Sequence, residues 1–428
     1  MNIIAIDCGA SFVKGASFRE GTKRREIKRG ATGISREPLN TIRQIYKLQK
    51  IVKEMVLELC NQHDENILCI SNEMHGFILT NDKGEPITDY ISWQVDLGDQ
   101  MLNNSSEMRG AIIRTGMPLR GGLPSSNLSW IINNHILKGK LYFYTLGDYL
   151  IRYLSGQEPS IHQTNAAATG LYDIIVNGWS KDIIDIIGAD DVVFPSNKNN
   201  NVEFILDGIK VVALPAIGDQ QAALLGAGLD NPETLSFNIG TGAQVSRITN
   251  NIELSREWQV RPYYNGLYLQ TVPHIPSGRA INVYFRFIES VLNRYGVNIS
   301  DEELWKGIED AIADGDDTDM ILDLGFFENS VNGSKTGSIM NIHEYELSIN
   351  NLFFSIVCQI ADNCCCVADR IWPQREYVKN ILFSGGVANR YSLLRERINM
   401  RYSNAQIINS LGDTLEGLMK YEKMSLEL

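Results

Sequence analysis

The chain has 428 residues, of which 44% are hydrophobic and 21% are charged. This composition is typical of soluble globular proteins and excludes disordered and fibrous classes. Lysine and arginine number 39 against 51 aspartates and glutamates, which gives a formal charge of −12. Such a surface repels phosphate backbones and anionic lipid, so we expect neither a nucleic-acid partner nor a membrane partner.

A pattern of apolar strand, glycine turn and returning strand occurs near the start of the chain and again in its second half. The paired segments are 3–7 with 13–18, and 235–239 with 244–248. This recurrence predicts an internally duplicated α/β chain. We place the domains at residues 1–230 and 231–428, because the natural boundary lies just before the second hairpin.

Helices and strands alternate between and after these hairpins. Helical periodicity from Ile42 to Leu59 precedes a strand at Ile67–Ile70. A later helical pattern at 352–371 holds four of the seven cysteines, and without a CxxC pair it indicates a buried helix that uses cysteine as a small apolar residue. A strand at Asn380–Ser384, followed by two glycines and a helix from about Tyr391, suits a nucleotide site.

The sequence contains no evident targeting segment. Asp7 interrupts the first apolar run, which has no basic region before it, and we find no stretch of about 18 apolar residues. We therefore expect a cytoplasmic protein.

Three glycine turns, each directly after a strand, are candidates for phosphate binding. They are Asp7-Cys8-Gly9 with Lys14 nearby, Gly240-Thr241-Gly242, and Gly385-Gly386. Glycine allows backbone N–H groups to approach a polyphosphate closely. The Walker P-loop, the dinucleotide GxGxxG, HExxH and GxSxG are absent from the sequence, so the set of turns carries the nucleotide hypothesis.

Two aspartates stand where catalysis needs carboxylates. Asp7 ends a buried strand and could hold Mg²⁺ beside bound phosphates, or it could cap the turn. Asp219 opens an alanine-rich helix and could be its N-cap or the general base of a phosphoryl transfer. The residues alone leave both alternatives open.

The motifs, taken in chain order, resemble those of the FGGY carbohydrate kinases over nearly the whole chain. They are Asp7-x-Gly-x-Ser-x-x-Lys14, Asn72-Glu73-Met74-His75-Gly76, Trp93-Gln94, Leu146-Gly147-Asp148-Tyr149-Leu150, Asn165-Ala166-Ala167-Ala168-Thr169, Gly218-Asp219-Gln220-Gln221-Ala222-Ala223, Asn238-Ile239-Gly240-Thr241-Gly242, Pro276-Ser277-Gly278-Arg279-Ala280 and Ser384-Gly385-Gly386. Met74-His75-Gly76 is similar to xylulokinases and sedoheptulokinases, and Gly218-Asp219-Gln220-Gln221 to sedoheptulokinase-type members.

The resemblance implies an actin-like ATPase (ribonuclease H-like) fold, in which two domains of similar core topology flank a catalytic cleft. It implies ATP and Mg²⁺ as cofactors, a sugar-binding first domain with the catalytic base, and a nucleotide-binding second domain. It assigns Asp219 as base and Asp7 to the metal. It places substrate contacts at Met74, His75, Trp93, Asp96 and Gln220, and nucleotide contacts at Gly9, Ser11, Lys14, Gly240, Thr241, Gly278, Gly385, Gly386 and Asn389.

Two of these residues also have an ordinary structural interpretation. A lone histidine such as His75 is more often a satisfied structural residue, although the resemblance favours a hydrogen bond to a sugar hydroxyl. Trp93 could be a core residue, or its ring could form a flat surface on which a sugar packs. The oligomeric state stays open, with a homodimer as one candidate.

The expected function is ATP-dependent phosphorylation of a primary hydroxyl of a ketose such as sedoheptulose or xylulose, or of a related sugar. The chain departs from the family at Ala10, Val95 and Arg390, where members commonly have threonine, aspartate and asparagine. These departures motivate the alternative of a pseudokinase that senses a sugar or nucleotide. A third hypothesis, an actin-like or chaperone-like ATPase, leaves Met74-His75-Gly76 unexplained.

Overall fold

The computed structural model describes residues 1–428 except 32, 34, 36, 41, 98–104, 138, 411 and 427–428. Its strands are β1 (Asn2–Cys8), β2 (Phe12–Arg19), β3 (Thr22–Gly30), β4 (Asn66–Asn72), β5 (Ile78–Thr80), β6 (Leu141–Tyr144), β7 (Tyr172–Asp173), β8 (Gly178–Trp179), β9 (Val192–Val193), β10 (Val202–Leu206), β11 (Ile209–Ala213), β12 (Ile217–Gly218), β13 (Thr234–Ile239), β14 (Gly242–Thr249), β15 (Gln259–Pro262), β16 (Tyr268–Pro276), β17 (Ile321–Asp323), β18 (Ser338–Met340), β19 (Asn380–Ser384) and β20 (Gln406–Asn409). Its α-helices are α1 (Gln44–Leu59), α2 (Ser106–Ala111), α3 (Pro124–Asn133), α4 (Leu146–Ser155), α5 (Gln163–Ala167), α6 (Lys181–Ile187), α7 (Asp219–Ala227), α8 (Gly278–Arg294), α9 (Asp301–Ala313), α10 (Ile349–Ile371), α11 (Gly386–Arg390), α12 (Ser392–Arg401) and α13 (Thr414–Leu426).

The chain forms two compact units, and each is discontinuous in sequence. The first unit comprises Met1–Gly228, Thr249–Leu269 and Leu411–Leu428, and the second comprises Leu229–Ile248 and Gln270–Ser410. The boundary predicted at residue 230 lies close to the end of the longest segment of the first unit. Two later segments, which include β15 and α13, also belong to the first unit.

The first unit is organised by a sheet with the strand order β10-β11-β4-β1-β2-β3, in which β12 also pairs with β4. All seven residues of β1 and all seven of β4 are buried, as in strands covered on both faces. The two strands run parallel, with Asp7 opposite Ser71 and Cys8 opposite Asn72. Polar side chains at their carboxyl ends are therefore neighbours.

The second unit repeats this arrangement. Its strand order includes β16-β14-β13-β19-β20, with β13 antiparallel to β14 and parallel to β19. In the first unit β1 is likewise antiparallel to β2 and parallel to β4. Both predicted hairpins, and the duplication inferred from them, are confirmed.

Helix α10 contains the cysteine-rich segment. By length and composition it is the one helix in the described part of the chain that could cross a membrane, and 72% of its most apolar window is buried inside the protein. That burial is typical of a core helix, as predicted, although the expectation that no such apolar segment exists was wrong. Cys358, Cys364 and Cys365 are buried, whereas Cys366 is exposed.

Two glycines bring α13 against α7, the helix that begins with Asp219. A Cβ on Gly417 would lie 1.9 Å from the carbonyl oxygen of Ala222, and one on Gly226 would lie 1.8 Å from that of Asp413. A backbone oxygen cannot move away as a flexible side chain can. The close approach of the two helices therefore requires glycine at both positions.

We predict that Gly417→Ala lowers the free energy of unfolding by about 3 kcal/mol, because the helices must separate to admit the methyl group. Gly307→Ala is the matched control, since no atom lies within 4 Å of its Cβ position in α9. It should be neutral or stabilising by up to about 1 kcal/mol. Urea unfolding of the two variants measures the difference, and equal midpoints would contradict the packing argument.

Candidate active site

Two carboxylates of the first unit, Asp7 at the end of β1 and Asp219 at the start of α7, lie close enough for their charges to interact. Asp7 is 8% exposed, and its Oδ1 accepts a hydrogen bond from Ser71 Oγ at 2.9 Å. Asp219 Oδ1 accepts from the backbone N–H of Gln220 at 2.8 Å. Burial and then the negative charge of Asp7 raise the pKa of Asp219 to about 7.

The position of Asp219 separates the two roles that the sequence left open. Gly218 occupies the N-cap position of α7, and Asp219 is the first helical residue. Among the described residues, its side chain accepts one hydrogen bond, from the N–H of its neighbour Gln220, so it does not close the helix end as a capping side chain does. A carboxyl group with a pKa near 7 is available to accept a proton at neutral pH, which suits a general base.

A buried amide network holds the turn that carries Asp219. Asn165 Nδ2 donates to Asn72 Oδ1 and to the carbonyl oxygen of Ala216, both at 2.9 Å. Thr164 Oγ1 accepts from the N–H of Gly218 at 3.1 Å. These bonds join β4, α5 and β12, so motifs far apart in sequence position one carboxylate.

Glu73 is a site residue that the sequence analysis did not select. It follows β4, is 8% exposed, and accepts hydrogen bonds from Ser92 Oγ at 2.7 Å and Tyr90 Oη at 3.1 Å. Burial raises its pKa, and its charge contributes to the raised pKa of Asp219. The available signal was its place at the carboxyl end of the strand beside β1.

We predict that Glu73→Gln shifts the acidic limb of the activity profile to lower pH. Removing a negative charge near Asp219 stabilises its ionised form, so the pKa of Asp219 falls. The measurement is kcat/KM against pH, and Glu85→Gln, which removes an exposed charge of the same unit, should leave the limb in place. If the acidic limb of the kcat/KM profile stayed at the same pH in Glu73→Gln, the carboxylates of Glu73 and Asp219 would not interact.

Arg261, in β15, joins three of the predicted substrate residues. It is 6% exposed, and its Nη1 donates to Gln220 Oε1 at 2.6 Å and to Met74 Sδ at 3.8 Å. Its Nη2 lies 3.5 Å from His75 Nε2. No sequence motif contains this arginine, because it reaches Met74 and His75 only through the tertiary fold.

His75 is fixed by protein groups on both ring nitrogens. Its Nδ1 lies 2.7 Å from the carbonyl oxygen of Ala168, which can only accept, so Nδ1 carries the proton and Nε2 faces Arg261. Its φ of 64° is in the left-handed region, which is strained for a residue with a side chain. The predicted contact with a sugar hydroxyl stays a prediction.

Trp93 and Asp96 both lie on the exposed side of this group. Trp93 is 40% exposed, with the Arg120 guanidinium 6.0 Å from its ring centre, so it is not a core residue. Asp96 is exposed and its carboxylate packs on Gly121, where a Cβ would lie 2.1 Å from Oδ2. Both are more exposed than Met74 and Gln220.

The first glycine turn uses part of its hydrogen-bonding capacity internally. The N–H of Gly9 donates to the carbonyl oxygen of Phe12 at 3.1 Å, and Ser11 is exposed. Lys14 stands opposite Asp7 in the β1–β2 register, and its Nζ lies 3.9 Å from Asp413 Oδ2. A cationic side chain therefore stands close to the candidate metal carboxylate.

The acidic groups fit a divalent cation. Burial first, and the charge of Asp413 in part, raise the pKa of Asp7, and the charge of Asp7 raises that of Asp219. A bound cation would offset this repulsion. Within the described residues there is no cluster of three or more potential metal ligands. Mg²⁺ commonly takes only one or two carboxylates, with waters and phosphates completing its shell, so Asp7 is a suitable ligand.

In the second unit the predicted glycine turns come together. The N–H of Gly278 donates to the carbonyl oxygen of Gly240 at 3.1 Å, and that of Arg279 to Thr241 at 2.8 Å. Gly385 has a φ of 92°, and a Cβ there would lie 2.5 Å from the carbonyl oxygen of Ile239. Three segments from distant parts of the sequence thus form one surface of backbone groups.

A pocket of about 580 Å³ adjoins these turns, a volume sufficient for a nucleoside. Its lining comprises Gly240, Thr241, Gly278, Arg279, Ile281, Asn282, Trp305, Gly386, Val387, Arg390 and Tyr391. Asn389 is exposed and does not line it, whereas Arg390 does. The Arg390 guanidinium lies 5.2 Å from the ring centre of Trp305 and pairs with Glu309. Trp305, which the sequence analysis missed, also stacks on Phe285, with ring centres 4.5 Å apart.

Comparisons with known proteins agree with this arrangement. The model of the N-terminal domain of the FGGY family of carbohydrate kinases matches residues 2–226. The glycerol kinase of Nitrosomonas eutropha is 28% identical over 191 residues, and that of Sinorhizobium fredii is 30% identical over 175 residues. These matches span 40% and 37% of this chain, and only 38% and 35% of the two enzymes.

Solved structures resemble the chain over its whole length. The xylulose kinase of Rhodospirillum rubrum has a TM-score of 0.83 at 14% identity, covering 99% of this chain and 90% of that one. The ligand-bound xylulose kinase of Lactobacillus acidophilus has a TM-score of 0.81 at 16% identity, covering 100% and 89%. The gluconate kinase of the same organism has a TM-score of 0.77 at 15% identity, covering 100% and 90%. At these identities the likeness shows the fold, and it confirms the predicted α/β fold of the actin-like ATPase type.

Proposed function

Because the chain belongs to the FGGY family of carbohydrate kinases, we propose that it transfers the γ-phosphoryl group of ATP to a primary hydroxyl of a ketose, such as sedoheptulose or xylulose, or of a related sugar. The observation that carries this proposal is the placement of Asp219. The pKa of Asp219 is raised to about 7. The next residue, Gln220, accepts a hydrogen bond from Arg261, and Arg261 also contacts Met74 and His75. A proton acceptor thus stands beside a polar group able to hold a sugar.

In the proposed reaction Asp219 accepts the proton of the attacking hydroxyl as its oxygen forms a bond to the γ-phosphorus, and the bond to the ADP oxygen breaks. The proton moves to the Asp219 carboxylate, and the electron pair of the broken bond leaves with ADP. Phosphoryl transfer needs mainly positioning and charge stabilisation. Lys14 supplies positive charge near Asp7, which would hold Mg²⁺. When bound, Mg²⁺ supplies further positive charge that offsets the charge of the phosphates.

We propose that the nucleotide binds at the glycine turns and the adjoining pocket of the second unit. The turns at Gly240, Gly278 and Gly385 supply backbone groups for phosphates, and the pocket beside them, which Trp305 helps to line, has room for the nucleoside. Arg390 replaces the asparagine common in the family and lies over that ring. We expect this substitution to alter nucleotide preference rather than to close the pocket.

The similar proteins differ in the acceptor that their names give. Those named above are glycerol, xylulose and gluconate kinases, so their names alone do not select one sugar. A hydroxyl of the wrong configuration would leave polar groups of the site unpaired, which is how such sites discriminate. A cytoplasmic location stays a prediction from the sequence.

The test is ADP release with Mg²⁺ and ATP against xylulose, ribulose, sedoheptulose, gluconate and glycerol. We expect turnover with a subset of these acceptors and much slower ATP hydrolysis without any of them. A rate of ATP hydrolysis that is the same with and without each sugar would favour the actin-like or chaperone-like ATPase. Sugar binding without ADP release would favour the pseudokinase sensor.

A further inference from the structure

In the described part of the chain, the guanidinium of Arg120 lies against Trp93 at the candidate sugar site and has no acidic partner. In the part of the chain that the structure describes it makes no hydrogen bond and no ion pair, and its contact is with the ring of Trp93. It is partly buried, and burial lowers its pKa. A guanidinium has five N–H donors, and withdrawing them from water without acceptors is unfavourable.

Arg261 adds a second positive charge, and no ion pair joins it to an acidic residue within the described ranges. Its donors meet neutral acceptors, namely Gln220, Gln259, Met74 and His75. Burial, and then repulsion from Arg120, lower the pKa of Arg261 to about 10, so the two cations act on each other. The carboxylate that stabilises the charge of Arg261 is Asp219, which the proposed reaction requires as a base.

Two further acidic residues belong to the group, Glu73 and Asp96, and the carboxylate of Asp96 packs on Gly121, the residue that follows Arg120. Glu73 is held by Ser92 and Tyr90, and it forms no ion pair with either arginine among the described residues. Among the described residues, the Arg120 guanidinium thus has no hydrogen-bond acceptor, although it lies beside a residue predicted to contact the sugar. Such an arrangement favours an anion as the missing partner.

Resting on the proposed function, we propose that the acceptor carries a carboxylate, which Arg120 binds directly and the charge of Arg261 attracts. The substrate class is then the sugar acids rather than neutral ketoses or polyols. The planar fork of a guanidinium matches the two oxygens of a carboxylate. A monoanion also fits better than a phosphate dianion, because Asp7, Glu73 and Asp219 are all close to the site.

Calorimetric binding to matched ligands tests the proposal without requiring turnover. Gluconate and glucitol, and xylonate and xylitol, differ within each pair only in carrying a carboxylate or a hydroxymethyl group at one end. We expect the acid to bind at least about tenfold more tightly, as one charge-assisted contact allows. Arg120→Met should bring the ratio close to one, and Arg120→Lys should restore part of it.

Two controls keep the result specific. Arg25→Met removes an exposed arginine from β3 of the same unit and should leave the ratio unchanged. Glucitol 6-phosphate tests the alternative anion. Tighter binding of this phosphate than of gluconate would overturn the carboxylate assignment.

The proposal is wrong if no acid binds more tightly than its polyol in either pair, or if Arg120→Met leaves the ratio intact. Failure of the proposed function looks different, since arginine-dependent binding of an acid without ADP release would support the acid site and contradict the kinase. Phosphorylation of a neutral sugar with no preference for acids would support the kinase and contradict the acid site.

Discussion

Asp219→Asn should lower sugar-dependent kcat by about 10³-fold, the order of magnitude expected when a general base is removed. Asparagine keeps the shape of the side chain but cannot take a proton from the attacking hydroxyl. Nucleotide affinity should change less than about twofold, because the predicted nucleotide residues of the second unit are untouched. The measurement is ADP release at saturating sugar, together with calorimetric titration of Mg²⁺ and ADP.

The wild-type pH profile provides an independent check on the same residue. Asp219 must be deprotonated to act, and its pKa is about 7, so kcat/KM should fall as the pH is lowered through 7. If Asp219→Asn turned over at the wild-type rate at any pH between 6 and 9, Asp219 would not be the general base. Asp82→Asn, at an exposed turn of the first unit, should behave as wild type.

The same substitution should stabilise the fold at high pH. The pKa of Asp219 is raised in the folded state, so between its ordinary value of 3.8 and about 7 the folded protein binds more protons than the unfolded chain. Its contribution to stability therefore falls as the pH rises through that range. Asp219→Asn should raise Tm at pH 8 by more than it does at pH 5, and a lower Tm at pH 8 would contradict the raised pKa.

Gly385→Ala should weaken nucleotide binding at least about tenfold and lower Tm. Gly385 has φ 92° and ψ 152°, a region open essentially to glycine alone, and its Cβ would press on the carbonyl oxygen of Ile239 at 2.5 Å. To relieve the contact, the turn must move away from the strand that leads to Gly240. The backbone surface predicted to meet phosphates is then lost.

The neighbouring glycine supplies the matched control. Gly386 has no atom within 4 Å of its Cβ position, so Gly386→Ala should keep the wild-type Tm. Acceptor binding depends on residues of the first unit and should survive in both variants. Wild-type affinity of Gly385→Ala for ADP would show that this turn does not contact the nucleotide.

Local patterns were sufficient for several elements. The strand predicted at Asn380–Ser384 has those bounds in the structure, and the helix predicted from Ile42 to Leu59 runs over Gln44–Leu59. Alternation of apolar residues and the backbone freedom of glycine act within a few residues of the chain. The glycine turns and the duplication could therefore be inferred before any contact was known, whereas the role of Asp219 as base was implied by the resemblance to the family.

The sequence alone thus determined the fold class, the repeated hairpins and the candidate base. Only the tertiary structure decided which side chains surround that base. Arg261 lies far from Met74 in sequence, Arg120 far from Arg261, and α13 returns to pack on α7. These contacts depend on burial and on charges that the fold brings close together. Neither the periodicity of apolar residues nor the spacing of motifs predicts them. The raised pKa of Asp219 and the repulsion between Arg120 and Arg261 are accordingly properties of the folded chain.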